Sequence, residues 1–352
     1  MTGNHWNLPA EWAPQSAVLL AWPHIGTDWV ERLADVEDTY VALVKAITRF
    51  QPVRIIVSSD ELKRHASALL CVAHVDLNTV CWVQADYDDT WLRDSGPITL
   101  RTDDGRSLLL DFRFTGWGGR FEASRDDALV AQLRTAGIFG NAAYERIDFA
   151  LEGGAIDVDG EGSLLSTWQC LHERHPDSSR ADIEECLLRV LRQDRLLWLE
   201  HGYLEGDDTD AHIDTLARFA SPTRIVYQSC DDPADSHYVE LQAMGEELAA
   251  LRTANGESYE LFALPWAKPI IDEGRRLAAS YANFLIINGA VLMPAYGDPA
   301  DIRAAEALAK AFPDREIVPV PCRPLIWQNG SLHCITMQLP QGLQSAGVLD
   351  AA

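Results

Sequence analysis

Positive charge is what this chain has least of. It carries 29 Lys and Arg against 53 Asp and Glu, a formal net charge of −24 over 352 residues. Nucleic acid binding draws its affinity from Lys and Arg displacing counterions. No basic cluster occurs in the chain, so nucleic acid and anionic membrane surfaces are excluded as partners. A field of this sign attracts a small cationic substrate and also simply keeps a protein in solution. Cysteine is sparse and unpatterned. The seven residues Cys71, Cys81, Cys170, Cys186, Cys230, Cys322 and Cys334 are odd in number and never spaced Cys-x-x-Cys. That excludes a disulfide framework and a Cys-rich zinc site, and it fits reduced thiols in a cytoplasmic protein. Long apolar runs are missing too. The stretch from Tyr281 to Tyr296 is broken by Asn283, Asn288, Gly289 and Pro294 and is too short to span a bilayer. Met1 to Pro14 holds Trp, Glu and Pro in place of the apolar core of a signal peptide. No Gly/Ser-rich linker divides the chain.

What remains is ordinary globular composition, 47% hydrophobic and 23% charged. A single core stops growing at roughly 250–300 residues, so a chain of this length needs two domains or a repeated architecture of small cores. Apolar spacing with a period of 3.6 residues predicts five amphipathic helices, at Trp29–Phe50, Asp126–Ala136, Ala181–Gln193, Asp235–Thr253 and Pro299–Phe312. An extra helix is predicted at Glu61–Val72. Each of the five follows a short apolar strand: Ala17–Trp22, Leu108–Phe114, Ser163–Trp168, Arg224–Gln228 or Ala290–Ala295. Each precedes another: Val53–Val57, Arg146–Leu151, Arg195–Glu200, Tyr259–Leu264 or Glu316–Val320. A further strand closes each unit, at Pro97–Leu100, Ala155–Val158, Thr215–Ala220, Phe284–Ile287 and Leu332–Gln338. The pattern is strand, helix, strand, strand, in units of about 70 residues. Five such units suit a closed ring, in which each buries its faces against its neighbours, or an open α/β sheet.

The loops between the last two strands of each unit hold the chemistry. They contain Trp91-Leu92-Arg93-Asp94-Ser95-Gly96-Pro97, Glu152-Gly153-Gly154, Asp207-Asp208-Thr209-Asp210-Ala211-His212-Ile213-Asp214, Ser280-Tyr281-Ala282-Asn283 and Ser331-Leu332-His333-Cys334. In a ring, equivalent loops converge on one axis. Cys334 then serves as a nucleophile and His212 as the acid and base. Asp94 and Asp214 are shaped to accept the forked donors of a guanidinium, and Glu152 to orient the imidazole. Trp91 and Trp117 lie in acidic or Gly-rich loops, where aromatic rings can wall a cation site. Each residue alone has a plainer use: Cys334 as a small core residue, His212 with Asp214 as an ion pair, Glu152 as a strand end. The run Asp86, Asp88 and Asp89 reads as a solvated turn, and Arg93 as a partner for the surrounding acids. A metal-dependent amidohydrolase using His172, His175, His212 and Asp214 is a second enzyme reading, and a non-catalytic binding protein a third.

The segments Trp91–Pro97, Trp117-Gly118-Gly119, Glu152-Gly153-Gly154, His212-Ile213-Asp214 and Ser331-Leu332-His333-Cys334-Ile335-Thr336 resemble those of the agmatine deiminases, within the guanidino-group-modifying superfamily. The resemblance covers essentially the whole chain. It implies one catalytic domain over residues 1–352, a five-bladed α/β propeller around a central active-site channel. It implies hydrolysis of agmatine to N-carbamoylputrescine and ammonia, a step of polyamine and putrescine formation, with no cofactor or metal. By matched motif it assigns Cys334 as nucleophile, His212 as general acid and base, Asp94 and Asp214 as guanidinium ligands, and Glu152 as the partner of His212. Asp208 matches the acid near the distal amine of the substrate, and a homodimer is the common assembly. Arginine or peptidyl-arginine would be the alternative guanidino substrates. Three departures stand out: Ala211 where Gly is frequent, Asn329-Gly330-Ser331 where that family often has three glycines, and Thr215 where Asn is frequent.

Overall fold

The computed structural model describes residues 5–343, and the chain is mixed α/β. It falls into two compact units. One comprises Ala13–Gly153 with the terminal segments Met1–Pro9 and Ile335–Ala352; the other comprises Gly154–Cys334 with Ala10–Trp12.

The first unit holds two sheets. In one, strand Gln15–Ala21 runs parallel to Val53–Val57, and helix Leu33–Ile47 makes the crossover between them. The helix buries Val36, Tyr40, Leu43, Val44 and Ile47, a stripe at helical spacing uninterrupted by Gly or Pro. A second helix, Asp60–Val72, starts on the Ser59 hydroxyl, which accepts from Leu62 N–H at 3.1 Å, and leads to a further parallel strand, Val80–Gln84. The other edge of Gln15–Ala21 is taken by Met337–Pro340, antiparallel, with Leu19 opposite Met337. Val18, Leu19, Leu20 and Ala21 are all fully buried, as expected of a strand covered on both faces. The second sheet orders Ile98–Arg101, Ser107–Arg113 and Ala143–Ala150. One core joins them, with Leu19, Ile56, Leu92, Leu109, Leu133 and Met337.

The second unit repeats this plan three times. Its sheets are Ile156–Val158, Ser163–Thr167 and Arg195–Leu199; then Ala217–Ser221, Arg224–Gln228 and Glu260–Leu264; then Leu285–Ile287, Ala290–Ala295 and Glu316–Pro321. Helices Arg180–Leu191, Tyr238–Ala250 and Ala300–Ala311 supply the parallel crossovers. Ser179 and Asp182 form a capping box at the start of the first of these. A small hairpin, Ile271–Asp272 with Arg275–Arg276, is added.

The four three-stranded sheets therefore share one connectivity, a middle strand antiparallel to the strand before it and parallel to the strand after it; Gln15–Ala21 has the same two kinds of neighbour but takes its antiparallel one from Met337–Pro340. The structure corrects the sequence-based unit in one respect. The closing strand pairs forward, into the next sheet: Ile98–Arg101 joins Ser107–Arg113, and Ile156–Val158 joins Ser163–Thr167. The reason is the connection. A tight turn, such as that closed by Thr102 N–H on Arg106 C=O, favours an antiparallel hairpin, whereas a parallel neighbour needs a long crossover. Strand Val80–Gln84 and helix Trp168–Arg174 are additions that periodicity did not single out.

Candidate active site

Cys334 follows a 3₁₀ turn, Leu325–Gln328, and a left-handed Asn329 at φ 70°. Its thiol is buried among polar groups. Sγ lies 3.3 Å from Asn283 Nδ2, 3.4 Å from Asn283 Oδ1 and 3.7 Å from Asp214 Oδ2. Asn283 also fixes the backbone here, since its Oδ1 accepts from His333 N–H at 2.9 Å. Tyr296 braces the same place, with its hydroxyl 2.8 Å from Ser280 O and 3.1 Å from Ser331 Oγ.

Asp214 is fully buried. Its Oδ2 takes His333 Nδ1 at 2.7 Å, while its Oδ1 has no hydrogen-bond partner among the described residues. Burial pushes the carboxyl up, but the hydrogen bond and charge of His333, with help from His212 and Arg218, hold it below the usual carboxylate range. Asp214 is thus an ionised acceptor with one oxygen engaged. On the far side, His333 Nε2 meets Glu11 Oε2 at 2.7 Å. That same oxygen takes Arg218 Nη2 at 2.9 Å, and Arg218 Nε lies 3.5 Å from Asp157. Burial alone would lower the Arg218 pKa; Glu11, Asp157 and Asp214 raise it above its ordinary value.

His212 is likewise fully buried, two residues before Asp214. The loop that delivers it is wired to itself: Asp207 accepts from Thr209 N–H at 3.0 Å and Ala211 N–H at 2.9 Å, and Thr167 Oγ1 donates to Ala211 O at 2.7 Å. Arg174 anchors it through Asp210 at 2.7 Å. Asp210 and Ala211 adopt φ 64° and 68°, and Asn329 adopts 70°. An L-residue there costs roughly 1–2 kcal/mol. All three positions are therefore left-handed here without glycine. Asp208 is half-buried, and its Oδ2 accepts from Asn329 Nδ2 at 2.8 Å; Asn329 Oδ1 in turn takes Arg275 Nη1 at 2.6 Å.

In the first unit, Asp94 sits in the short helix Leu92–Ser95 and is buried. Trp117 Nε1 donates to Asp94 Oδ2 at 2.9 Å. Trp117 itself has φ 55°, within a turn whose glycines are also left-handed. Trp91 precedes that helix and packs on Trp29 at 5.5 Å between ring centroids. Glu152 is 1% exposed, and the residue after it must be Gly, because a Cβ at 153 would collide with the Arg93 carbonyl oxygen. Asp94 and Glu152 are thereby held on adjoining backbone. Arg93 is buried, with Nη1 3.7 Å from Met337 Sδ. The reading of Asp88 and Asp89 as a solvated turn needs correction: Asp89 is pushed up to about 7 by burial, and both backbone N–H groups point at the buried Asp126. His172 stacks on Trp168, which also meets Trp198 and Arg180.

Of the proposed residues, Cys334 and Asp214 are in contact, Asp208 reaches the Cys334 loop through Asn329, and Trp117 reaches Asp94. Sequence reading did not assign Asn283, His333, Glu11 or Arg218. The dipeptide His333-Cys334 was in view, but nothing local could link it to Glu11, 322 positions away.

A family model of Porphyromonas-type peptidyl-arginine deiminases matches residues 7–340. The chain belongs to that family. An agmatine deiminase of Stutzerimonas stutzeri is 34% identical over 358 residues, 95% of each chain. A solved Cys→Ser variant of the C. jejuni agmatine deiminase with substrate bound is 36% identical, with a TM-score of 0.89 over 98% of this chain and 99% of that one. A Porphyromonas gingivalis structure, provisionally called an arginine deiminase, is 42% identical, with a TM-score of 0.89 over 97% of this chain and all of that one. Likeness along nearly the full length makes this family member an enzyme of the agmatine deiminase type, a hydrolase of the guanidino-modifying superfamily. Among the described residues no helix is long and apolar enough to cross a membrane.

Proposed function

We propose that the chain hydrolyses agmatine to N-carbamoylputrescine and ammonia through a covalent intermediate on Cys334, a step toward putrescine. The observation that carries this is Asp214: an ionised, fully buried carboxylate with Oδ1 unpartnered among the described residues and Oδ2 3.7 Å from a thiol. A buried carboxylate oxygen left open calls for a hydrogen-bond donor, and a guanidinium beside Cys334 would supply one while placing its electrophilic carbon near sulfur. Asp94 is the second guanidinium ligand in this reading. The Cys334 thiolate adds to the guanidinium carbon; the C–N bond breaks as His212 protonates the departing ammonia, leaving an amidino-thioether. His212 then removes a proton from water, the hydroxide adds to the same carbon, and the C–S bond breaks to release the ureido product and the thiolate. Glu152 orients His212, Trp91 and Trp117 flank the cation, and Asp208 takes the distal ammonium. No cofactor enters these steps.

The five like-connected sheets, with the last strand returned to the first, support a five-bladed α/β propeller acting as one catalytic domain around a central channel. Seven cysteines without a disulfide suit the cytoplasm. The expected assembly, a homodimer, is read by light scattering.

The deciding experiment incubates the purified protein with agmatine, arginine, peptidyl-arginine and simple guanidines and measures ammonia and ureido product. Agmatine should be the preferred substrate, EDTA should leave its turnover unchanged, and Cys334→Ala should abolish it while the chain stays folded. Preference for arginine would transfer the same chemistry to the other substrate; full activity of Cys334→Ala would overturn the mechanism.

A further inference from the structure

Five charged side chains, three acids and two bases, lie buried in one continuous cluster beside the thiol: Asp214, His333, Glu11, Arg218 and Asp157. We propose that His333 is a positioning residue for deimination, anchored by Glu11, and that it fixes the orientation and charge of Asp214 while shielding the Cys334 thiol from that charge. The proposal rests on reading Asp214 as the guanidinium ligand.

Three observations support it. The His333 ring lies between two carboxylate oxygens, 2.7 Å from each, so both nitrogens face acceptors, an arrangement that two ionised carboxylates satisfy only with an imidazolium. The ring also has little freedom, because its backbone N–H is held by Asn283 Oδ1 at 2.9 Å and O at 3.2 Å. Glu11 is itself pinned, accepting Ile286 N–H on Oε1 at 2.7 Å and Arg218 on Oε2. An unpinned carboxylate can turn about its last torsion. Here His333 claims Oδ2, which leaves Oδ1 as the oxygen offered to a ligand.

The second effect concerns the thiol. Sγ lies 3.7 Å from the oxygen that His333 engages. Without the imidazolium, that oxygen would oppose thiolate formation at full strength. The titratable groups facing the Asp214–Cys334 pair within this unit are His333, His212, Arg218 and Tyr296, with Glu11 and Asp157 behind them.

The test compares His333→Asn and His333→Gln in the full chain. The Asn amide nitrogen stands near the place of Nδ1 and can still donate to Asp214; the Gln amide reaches toward Glu11 and leaves Asp214 unheld. His333→Gln should lose at least about tenfold in kcat/KM for agmatine, and His333→Asn should recover at least about fivefold of that loss. Both lack the cation, so the pH midpoint for iodoacetamide alkylation of Cys334, measured without substrate, should move up by about one unit in each. Equal losses in the two variants with an unmoved midpoint would reduce His333 to a packing residue and overturn the proposal. If the wild type fails to turn over agmatine, the substrate reading falls, and the alkylation midpoint alone still decides for or against His333. If neither variant folds, Glu11→Gln decides: a folded chain should lose at least about threefold in kcat/KM, and wild-type kcat/KM in it would overturn the anchor.

Discussion

Asp94 and Asp214 are held alike, and this bears on what each does. Trp117 Nε1 binds one oxygen of Asp94, and His333 binds one oxygen of Asp214. Each carboxylate thus has one oxygen fixed by a ring nitrogen. Replacing either by Asn keeps the shape and removes the charge. A hydrogen bond to a charged group contributes roughly 1.5–3 kcal/mol, so each variant should lose at least tenfold in kcat/KM; unchanged values in both would dismiss the clamp. Asp126 makes a second residue-scale case. Burial, with the neighbouring charges of Asp88 and Asp89, pushes it up to about 7 despite two backbone donors. A carboxyl whose folded pKa is raised binds its proton more tightly when folded. Its stabilisation is complete below the unfolded pKa near 4 and is lost as pH rises toward about 7. Asp126→Asn should therefore flatten that slope, gaining on the wild type at pH 8 relative to pH 5 in urea midpoints. An unchanged difference at the two pH values would refute it.

At the scale of elements, regular pieces were legible and loop geometry was not. Helices Leu33–Ile47, Tyr238–Ala250 and Ala300–Ala311 fall within the predicted ranges, because an amphipathic stripe is a local signal. The sheet to which each closing strand belongs escaped the sequence, since pairing depends on what the turn permits. The site loops were locatable by their acids, His212 and Cys334, but not their internal wiring. Asn329 is the instructive residue. In the sequence it is a departure from glycine; in the structure it keeps the left-handed backbone and uses its amide to join Asp208 to Arg275 of the small hairpin. Asn329→Gly would preserve the backbone and delete the link. It should raise KM for agmatine by severalfold, leave kcat and Cys334 alkylation close to wild type, and narrow the preference over arginine. A fall in kcat with KM intact would place Asn329 with the reacting carbon and not with the substrate tail.

The molecule as a whole carries −24, and its proposed substrate is a dication. Such a field gathers cations from outside the site, and salt removes that help: the screening length falls from about 10 Å at 0.1 M to about 3 Å at 1 M. KM for agmatine should climb across that range while kcat holds. A KM indifferent to salt would confine recognition to short-range contacts.

Strand Met337–Pro340 lies along Gln15–Ala21, and Glu11 holds His333. A ribosome makes these partners far apart in time. The earlier strand emerges with one edge bare, an invitation to mispair with other nascent chains, and Glu11 precedes the histidine it steadies by 322 residues of synthesis. Nascent chains stalled before Met337 should accordingly be silent as enzymes and dependent on chaperones, with activity arriving abruptly once the last strand is free of the tunnel.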